Sequence, residues 1–298
     1  TRPFWNRWRA GDTGDDVLFG FLDSIRNMDD WPQAAERMIR RESAAFGPRF
    51  RRLFLTWGGQ RFPANLHLPE VASAPLVILV HGIDGCKEEH LATELALLGQ
   101  GLAVLSFDGP GQAESFLVND ILWSERFPEL ISAAIDAVAE VTGQTGRPVG
   151  IMGMSIGATW AYVAAARDAR IGALYDLGAA INSEAFQRVP FIIKSKVCQI
   201  TGARTNEQIR RVLAQIKIDE PDLLGRIGAA VRIVHGSKDR VVALADKEWL
   251  AGELSRLGAA SEVSMRVFDR ADHCCTGEIP EVRRDMAAFF TRVLAARA

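Results

Sequence analysis

The chain has 298 residues, 48% of them hydrophobic and 24% charged, with Lys+Arg 35 against Asp+Glu 37 and a formal net charge of -2. That length and apolar content suffice for one large domain with a lid, and they exclude fibrous, disordered and disulfide-stapled classes. A nearly balanced charge leaves no global field for nucleic acid or an anionic membrane, so the expected partner is a small molecule. Cys86, Cys198, Cys274 and Cys275 are too few and too unevenly placed for a secreted disulfide framework. The opening residues lack the continuous apolar core of a signal peptide, and no stretch approaches the ~20 apolar residues of a membrane span. A soluble, cytoplasmic protein is the expectation, and a homodimer is compatible with it.

In chain order, residues 1–49 read as a helical segment. Val17, Phe21, Ile25 and Met28 fall near helical spacing over 15–28, and Ala34, Ala35, Met38 and Ile39 continue it over 31–46. Residues 51–69 alternate as a strand, break at Gly58-Gly59 and resume with Phe62, Leu66 and Leu68, which is a hairpin pattern. From residue 75 the chain turns to short, continuously apolar runs separated by helical segments, the pattern of parallel strands covered on both faces. Strands are predicted over 76–80, 103–107, 149–152, 173–177, 231–234 and 263–268, with helices over 87–98, 121–141, 156–167, 244–257 and 282–296. These elements predict an α/β fold with a mostly parallel, doubly wound sheet. Helical patches over 185–193, 206–216 and 221–227 fill an interval too long for an ordinary connection. We read 183–227 as a lid over the carboxyl ends of the strands, inserted between core segments 50–182 and 228–298.

Chemistry concentrates at Gly153-Met154-Ser155-Ile156-Gly157, which follows a strand and opens a helix. A serine on so sharp a turn has strained backbone angles, flanking glycines remove the Cβ atoms that would clash, and the helix N-terminus favours developing negative charge. Such a serine needs a histidine base and an orienting carboxylate. Of five histidines, His67 precedes the core sheet, His90 lies in a helix, His81 opens a glycine turn and His235 closes a strand. His273, in the loop after the last strand, is the predicted base. Asp239, directly after the 231–234 strand, is the predicted acid, with Asp176 and Asp272 as rivals. The order Ser155, Asp239, His273 is the serine, acid, histidine order of one hydrolase fold. Oxyanion donors are expected from the N–H of Ile156 and from Ile83 in the turn His81-Gly82-Ile83-Asp84-Gly85.

Other site chemistries are weaker. Asp272-His273-Cys274-Cys275 lacks a second ligand pair at zinc spacing, so no metal is expected. Asp108-Gly109-Pro110-Gly111-Gln112 matches neither phosphate-loop pattern, so no nucleotide cofactor is expected. Arg40, Arg41, Arg49, Arg51 and Arg52 read as a solvated face.

At these residues the chain resembles the α/β-hydrolase superfamily over roughly residues 50–298. Lys87-Glu88-Glu89 and Phe107-Asp108-Gly109-Pro110-Gly111-Gln112-Ala113-Glu114 look like the group that contains 2,6-dihydropseudooxynicotine hydrolase and the fungal polyketide-shortening pigment hydrolases, although Ala113 stands where that pattern has glycine. The resemblance implies a helical N-terminal segment and hydrolysis of a carbon–carbon bond beside a ketone. The implied substrate is an apolar or aromatic ketone, such as a β-diketone, with Glu184 as a candidate contact. A carboxylesterase or thioesterase, or an acyl-transfer or cyclising enzyme, would use the same residues. A non-catalytic binding protein on this scaffold usually loses a triad member, and here all three stand.

Overall fold

The structure, a computed structural model, describes residues 31–71, 73–189 and 191–297. The helix expected over 15–28 lies outside them. Helix α1 (Trp31–Phe46) leads into the hairpin β1 (Phe50–Trp57) and β2 (Gln60–His67), which turns at Gly58-Gly59 as expected. Then follow β3 (Leu76–Val80), α2 (Leu91–Leu98), β4 (Ala103–Phe107), α3 (Ala113–Leu117), α4 (Phe127–Thr142), β5 (Val149–Met154), α5 (Ile156–Arg167) and β6 (Ile171–Leu177). The insertion carries α6 (Phe191–Thr201), α7 (Asn206–Ala214) and α8 (Pro221–Leu224). The chain closes with β7 (Ala230–Gly236), α9 (Leu244–Leu257), β8 (Glu262–Phe268) and α10 (Ile279–Ala295).

These strands form one sheet in the order β1-β2-β4-β3-β5-β6-β7-β8, antiparallel through β4 and parallel from there on. Because side chains alternate along a strand, the unbroken apolar run of β3 serves two cores at once. Leu76, Ile78 and Val80 join one with Phe127, Leu130 and Trp160, while Val77 and Leu79 join the other with Leu97, Met286 and Phe290. Helices therefore cover both faces. No helix among the described residues is long and apolar enough to cross a membrane.

Several boundaries differ from the sequence reading, each for a physical reason. The helix expected over 121–141 starts at Phe127. Before it, the Ile121 carbonyl accepts from Gly111 N–H at 3.0 Å and Trp123 N–H donates to the Ile200 carbonyl at 2.8 Å, so that backbone is committed elsewhere, and Pro128 suits a first helical turn. The helix expected over 87–98 opens as a 3-10 turn, Lys87–His90, closed by Glu89 N–H on the Cys86 carbonyl at 3.2 Å while the Lys87 N–H, which no helix would satisfy, donates to Asp108 Oδ1 at 2.8 Å. The patch at 185–193 divides into a 3-10 turn, Ser183–Gln187, and α6. The last helix begins at Ile279, with Pro280 in its first turn. His67 stands within β2 and so inside the sheet, its Nδ1 2.9 Å from Glu94 Oε2. Arg52 is no solvated residue either: it donates to Asn65 Oδ1 at 3.0 Å and to Glu114 Oε2 at 2.5 Å.

Candidate active site

Ser155 separates β5 from α5 with φ 54° and ψ −124°, a conformation that costs an L-residue free energy and is held only where its surroundings over-determine it. Both flanking glycines are obligatory. A Cβ on Gly153 would lie 2.2 Å from Ala158 Cα, and one on Gly157 would lie 2.2 Å from the Val80 carbonyl oxygen. The tight turn presses α5 against β3 and leaves the Ser155 side chain at the carboxyl edge of the sheet.

Two loops bring the partners. After β7, Asp239 Oδ1 accepts from Val241 N–H at 2.7 Å and Val242 N–H at 2.9 Å, which orients Oδ2 toward the histidine loop. After β8, His273 is followed by Cys274 and Cys275, both left-handed at φ 59° and 51°, a strained turn of the kind found at functional sites. The loops close on one another at Gly236, where a Cβ would meet the Ala271 carbonyl oxygen at 2.3 Å. The result is a continuous hydrogen-bonded chain: His273 Nδ1 to Asp239 Oδ2 at 2.7 Å, and His273 Nε2 to Ser155 Oγ at 2.9 Å. Burial opposes ionisation of Asp239, but the His273 hydrogen bond and the two backbone N–H groups outweigh it and hold the carboxyl below its usual range. Burial likewise opposes the His273 imidazolium. The Cys274 sulfur and the Asp239 carboxylate overcome it and hold His273 well above the ordinary imidazole range.

Ser155 and His273 face a cavity of about 700 Å³ lined by apolar Ile83, Met154, Phe186, Val189, Ile193 and Val242. From the insertion, Ala185, Phe186, Arg188, Val189 and Ile193 reach this wall. Leu213, Ile216, Leu224 and Ile227 instead pack into the main core, so the part of the expected roof that meets the cavity is narrower than 183–227. Ile156 is the first residue of α5, where an N–H has no acceptor within the helix. Ile83 lies in the turn against Ser155, since a Cβ on Gly82 would sit 3.5 Å from Ser155 Cβ. No backbone acceptor engages the Ile83 N–H among the described residues.

The remaining expectations divide. Asp176 takes Lys247 Nζ at 2.6 Å, Tyr162 Oη at 3.1 Å and Ala179 N–H at 2.7 Å, and it makes no bond to His273. Asp272 caps its own turn through Thr276. His235 is buried, with Nε2 3.2 Å from the Val242 carbonyl oxygen. Glu184, suggested as a substrate contact, is exposed, with its backbone N–H donated to Asn182 Oδ1, and it does not line the cavity. The wall carries other charged groups that the sequence reading missed: Asp84, Glu89, Arg188, Lys238 and Arg240. Desolvation by the protein around it pushes the Asp84 carboxyl up although Asp84 stays exposed, and burial beside Asp84 and Asp108 pushes Glu89 well up. The only sequence signal for Asp84 and Glu89 was their place in and just after the glycine turn.

No protein-family model matches the chain. In sequence it is 25% identical over 261 residues to 2,6-dihydropseudooxynicotine hydrolase of Paenarthrobacter nicotinovorans, covering 87% of this chain and 69% of that protein. The crystal structure of 2,6-dihydroxy-pseudo-oxynicotine hydrolase is similar with a TM-score of 0.79 at 25% identity, over 90% of this chain and 74% of that one. Wild-type AbyA5 shares the fold with a TM-score of 0.72 at 19% identity, over 90% of this chain and 76% of that one. Likeness of this extent in both sequence and backbone shows that the chain has the α/β-hydrolase fold.

Proposed function

We propose that the chain is a serine-dependent hydrolase that cleaves a carbon–carbon bond beside a ketone through an acyl-enzyme on Ser155. The observation that carries the covalent mechanism is the Ser155–His273–Asp239 hydrogen-bonded chain opening on an apolar cavity. The relationship to 2,6-dihydropseudooxynicotine hydrolase supports the choice of bond.

Ser155 Oγ attacks the ketone carbon as His273 Nε2 takes its proton, and Asp239 stabilises the resulting imidazolium. The N–H groups of Ile83 and Ile156 hold the oxyanion. When the tetrahedral centre collapses, the carbon–carbon bond breaks, its electron pair stays on the leaving carbon as an enolate, and His273 returns the proton there. Water then attacks the acyl carbon and gives a proton to His273. The Oγ–carbon bond breaks, Ser155 is reprotonated and the carboxylic acid leaves. Carbon is a poor leaving group, so the substrate must delocalise the charge, as a β-dicarbonyl or vinylogous ketone does. These steps use only side chains, backbone amides and water.

The same geometry serves an ester equally well. Turnover of a panel of β-diketones, aryl ketones and p-nitrophenyl esters in H₂¹⁸O and D₂O separates the readings. The proposal expects one ¹⁸O in the acid product and one deuteron on the carbon leaving group. If the best substrates are esters that release an alcohol, the bond assignment is wrong while the acyl-enzyme stands.

A further inference from the structure

The two segments that carry the group resemblance meet in space beneath the Ile83 turn. Asp108 accepts from Lys87 N–H and Lys87 Nζ at 2.8 Å each, and His81 Nε2 lies 3.0 Å from it. Lys87 Nζ also contacts Glu88 at 2.7 Å and Glu114 at 2.7 Å, and Ser115 Oγ donates to the Asp108 carbonyl at 2.6 Å. Burial opposes charge on both partners, yet the pairing keeps Lys87 above and Asp108 below its ordinary range. A network whose Lys87 and Asp108 are fully buried costs desolvation, so it is a poor device for stability and a good one for fixing geometry.

Gln112 belongs to the second of these segments and bonds to the turn itself. That side chain accepts from Gly109 N–H at 2.9 Å and donates from Nε2 to the carbonyl oxygens of His81 and Gly82, at 3.0 Å each. The Gly82 carbonyl also accepts from Gly85 N–H at 3.4 Å, and His81 Nδ1 lies 3.0 Å from it. A trans peptide is planar, with C=O and the following N–H pointing in opposite directions. Holding the Gly82 carbonyl on the Gln112 side therefore aims the Ile83 N–H the other way, toward the cavity that Ser155 lines.

From this we infer that Gln112 is a positioning residue that presets the Ile83 N–H as an oxyanion donor by clamping the Gly82–Ile83 peptide. The inference rests on Ser155 being the nucleophile. Without the clamp, a Gly-containing turn is free to rotate that peptide, and its carbonyl would then face the developing negative charge.

The test measures phosphonylation of the full chain by an alkyl fluorophosphonate. Ser155 Oγ bonds to phosphorus, the P–F bond breaks, fluoride leaves and the serine proton passes through His273 to solvent. Gln112→Met keeps the side chain's shape without its donors, and Gln112→Glu keeps an acceptor for Gly109 N–H. Each is expected to slow phosphonylation by about 10²-fold, the range for loss of one oxyanion donor. Affinity for a trifluoromethyl ketone, which adds to the serine, should fall in parallel. The melting midpoint should fall, because buried partners of Gln112 lose their bonds, while KM for a p-nitrophenyl ester should change little as its kcat drops, a split that a merely structural role would not produce. Labelling of either folded variant within about threefold of wild type overturns the inference. Should both variants fail to fold, a crystal structure of the wild-type phosphonyl adduct decides: Ile83 N within hydrogen-bond distance of the phosphonyl oxygen supports the clamp, and a rotated Gly82–Ile83 peptide overturns it. An unlabelled wild type, or a labelled Ser155→Ala, instead refutes Ser155 as nucleophile, so the two failures are distinct.

Discussion

Asp239 and Asp176 both belong to the carboxyl ends of neighbouring strands, yet their asparagine variants should fail in opposite ways. In Asp239→Asn, the Val241 and Val242 N–H groups still require an acceptor at the Oδ1 position, so the side-chain oxygen stays there and the new NH₂ faces His273 Nδ1. Two donors cannot pair. His273 must adopt the tautomer that carries its proton on Nε2, which donates to Ser155 Oγ and cannot accept from it. Turnover should fall by roughly 10³–10⁴-fold, the scale known for this substitution in serine proteases, with the melting midpoint little changed. In Asp176→Asn the buried Lys247 ammonium, 2.6 Å from Oδ2, loses its counter-charge. Breaking a buried pair from one side costs about 3–5 kcal/mol. At ~2 °C per kcal/mol for a large domain this lowers the midpoint by about 6–10 °C, while turnover per folded molecule stays near wild type. The assay is p-nitrophenyl ester hydrolysis normalised to folded protein, alongside a thermal melt. Greater activity loss per folded molecule in Asp176→Asn than in Asp239→Asn would refute the assignment of the acid.

Ser155→Ala should abolish turnover and leave the melt unchanged, because the hydroxyl faces the cavity; residual activity within about tenfold of wild type would exclude an acyl-enzyme. Since His273 must be neutral to accept the serine proton and its pKa is held high, kcat/KM should rise with pH through a midpoint above the ordinary value of about 6.5. In Asp239→Asn the residual activity should show a lower midpoint, as the carboxylate no longer favours the imidazolium; an unmoved midpoint would contradict the coupling. Gly157→Ala forces a Cβ to 2.2 Å from the Val80 carbonyl oxygen and 2.5 Å from that of His81. It should cost at least the ~1–3 kcal/mol of an overpacked site, and fluorophosphonate labelling should fall with it, so a wild-type melt together with wild-type labelling would count against the tight-turn account.

How much the sequence determines by itself follows from how local each feature is. Continuous apolar runs at residues 76–80 and 149–152 report strands buried on two faces, because burial alternates within a strand whatever its neighbours are. Gly153 and Gly157 report the serine turn, because their clashes involve the residues that form the turn and the strand beside it. Chain order separated His273 from four other histidines, since only it follows the last strand. Chain order also favours Asp239 over Asp176, but its bond to His273 depends on closure of two loops across Gly236, a contact between residues far apart in sequence. The same holds for the start of α4, where backbone groups at Ile121 and Trp123 were claimed by distant partners against the local helical pattern. It holds too for the cavity wall, where Glu184 faces solvent while Asp84 and Glu89 face the cavity. Periodicity records which residues are buried, but which buried or exposed charge meets which is set by long-range packing. For that reason the Lys87 and Asp108 segments could be recognised in the sequence as two motifs, while only the tertiary structure joined them into one support for the Ile83 turn.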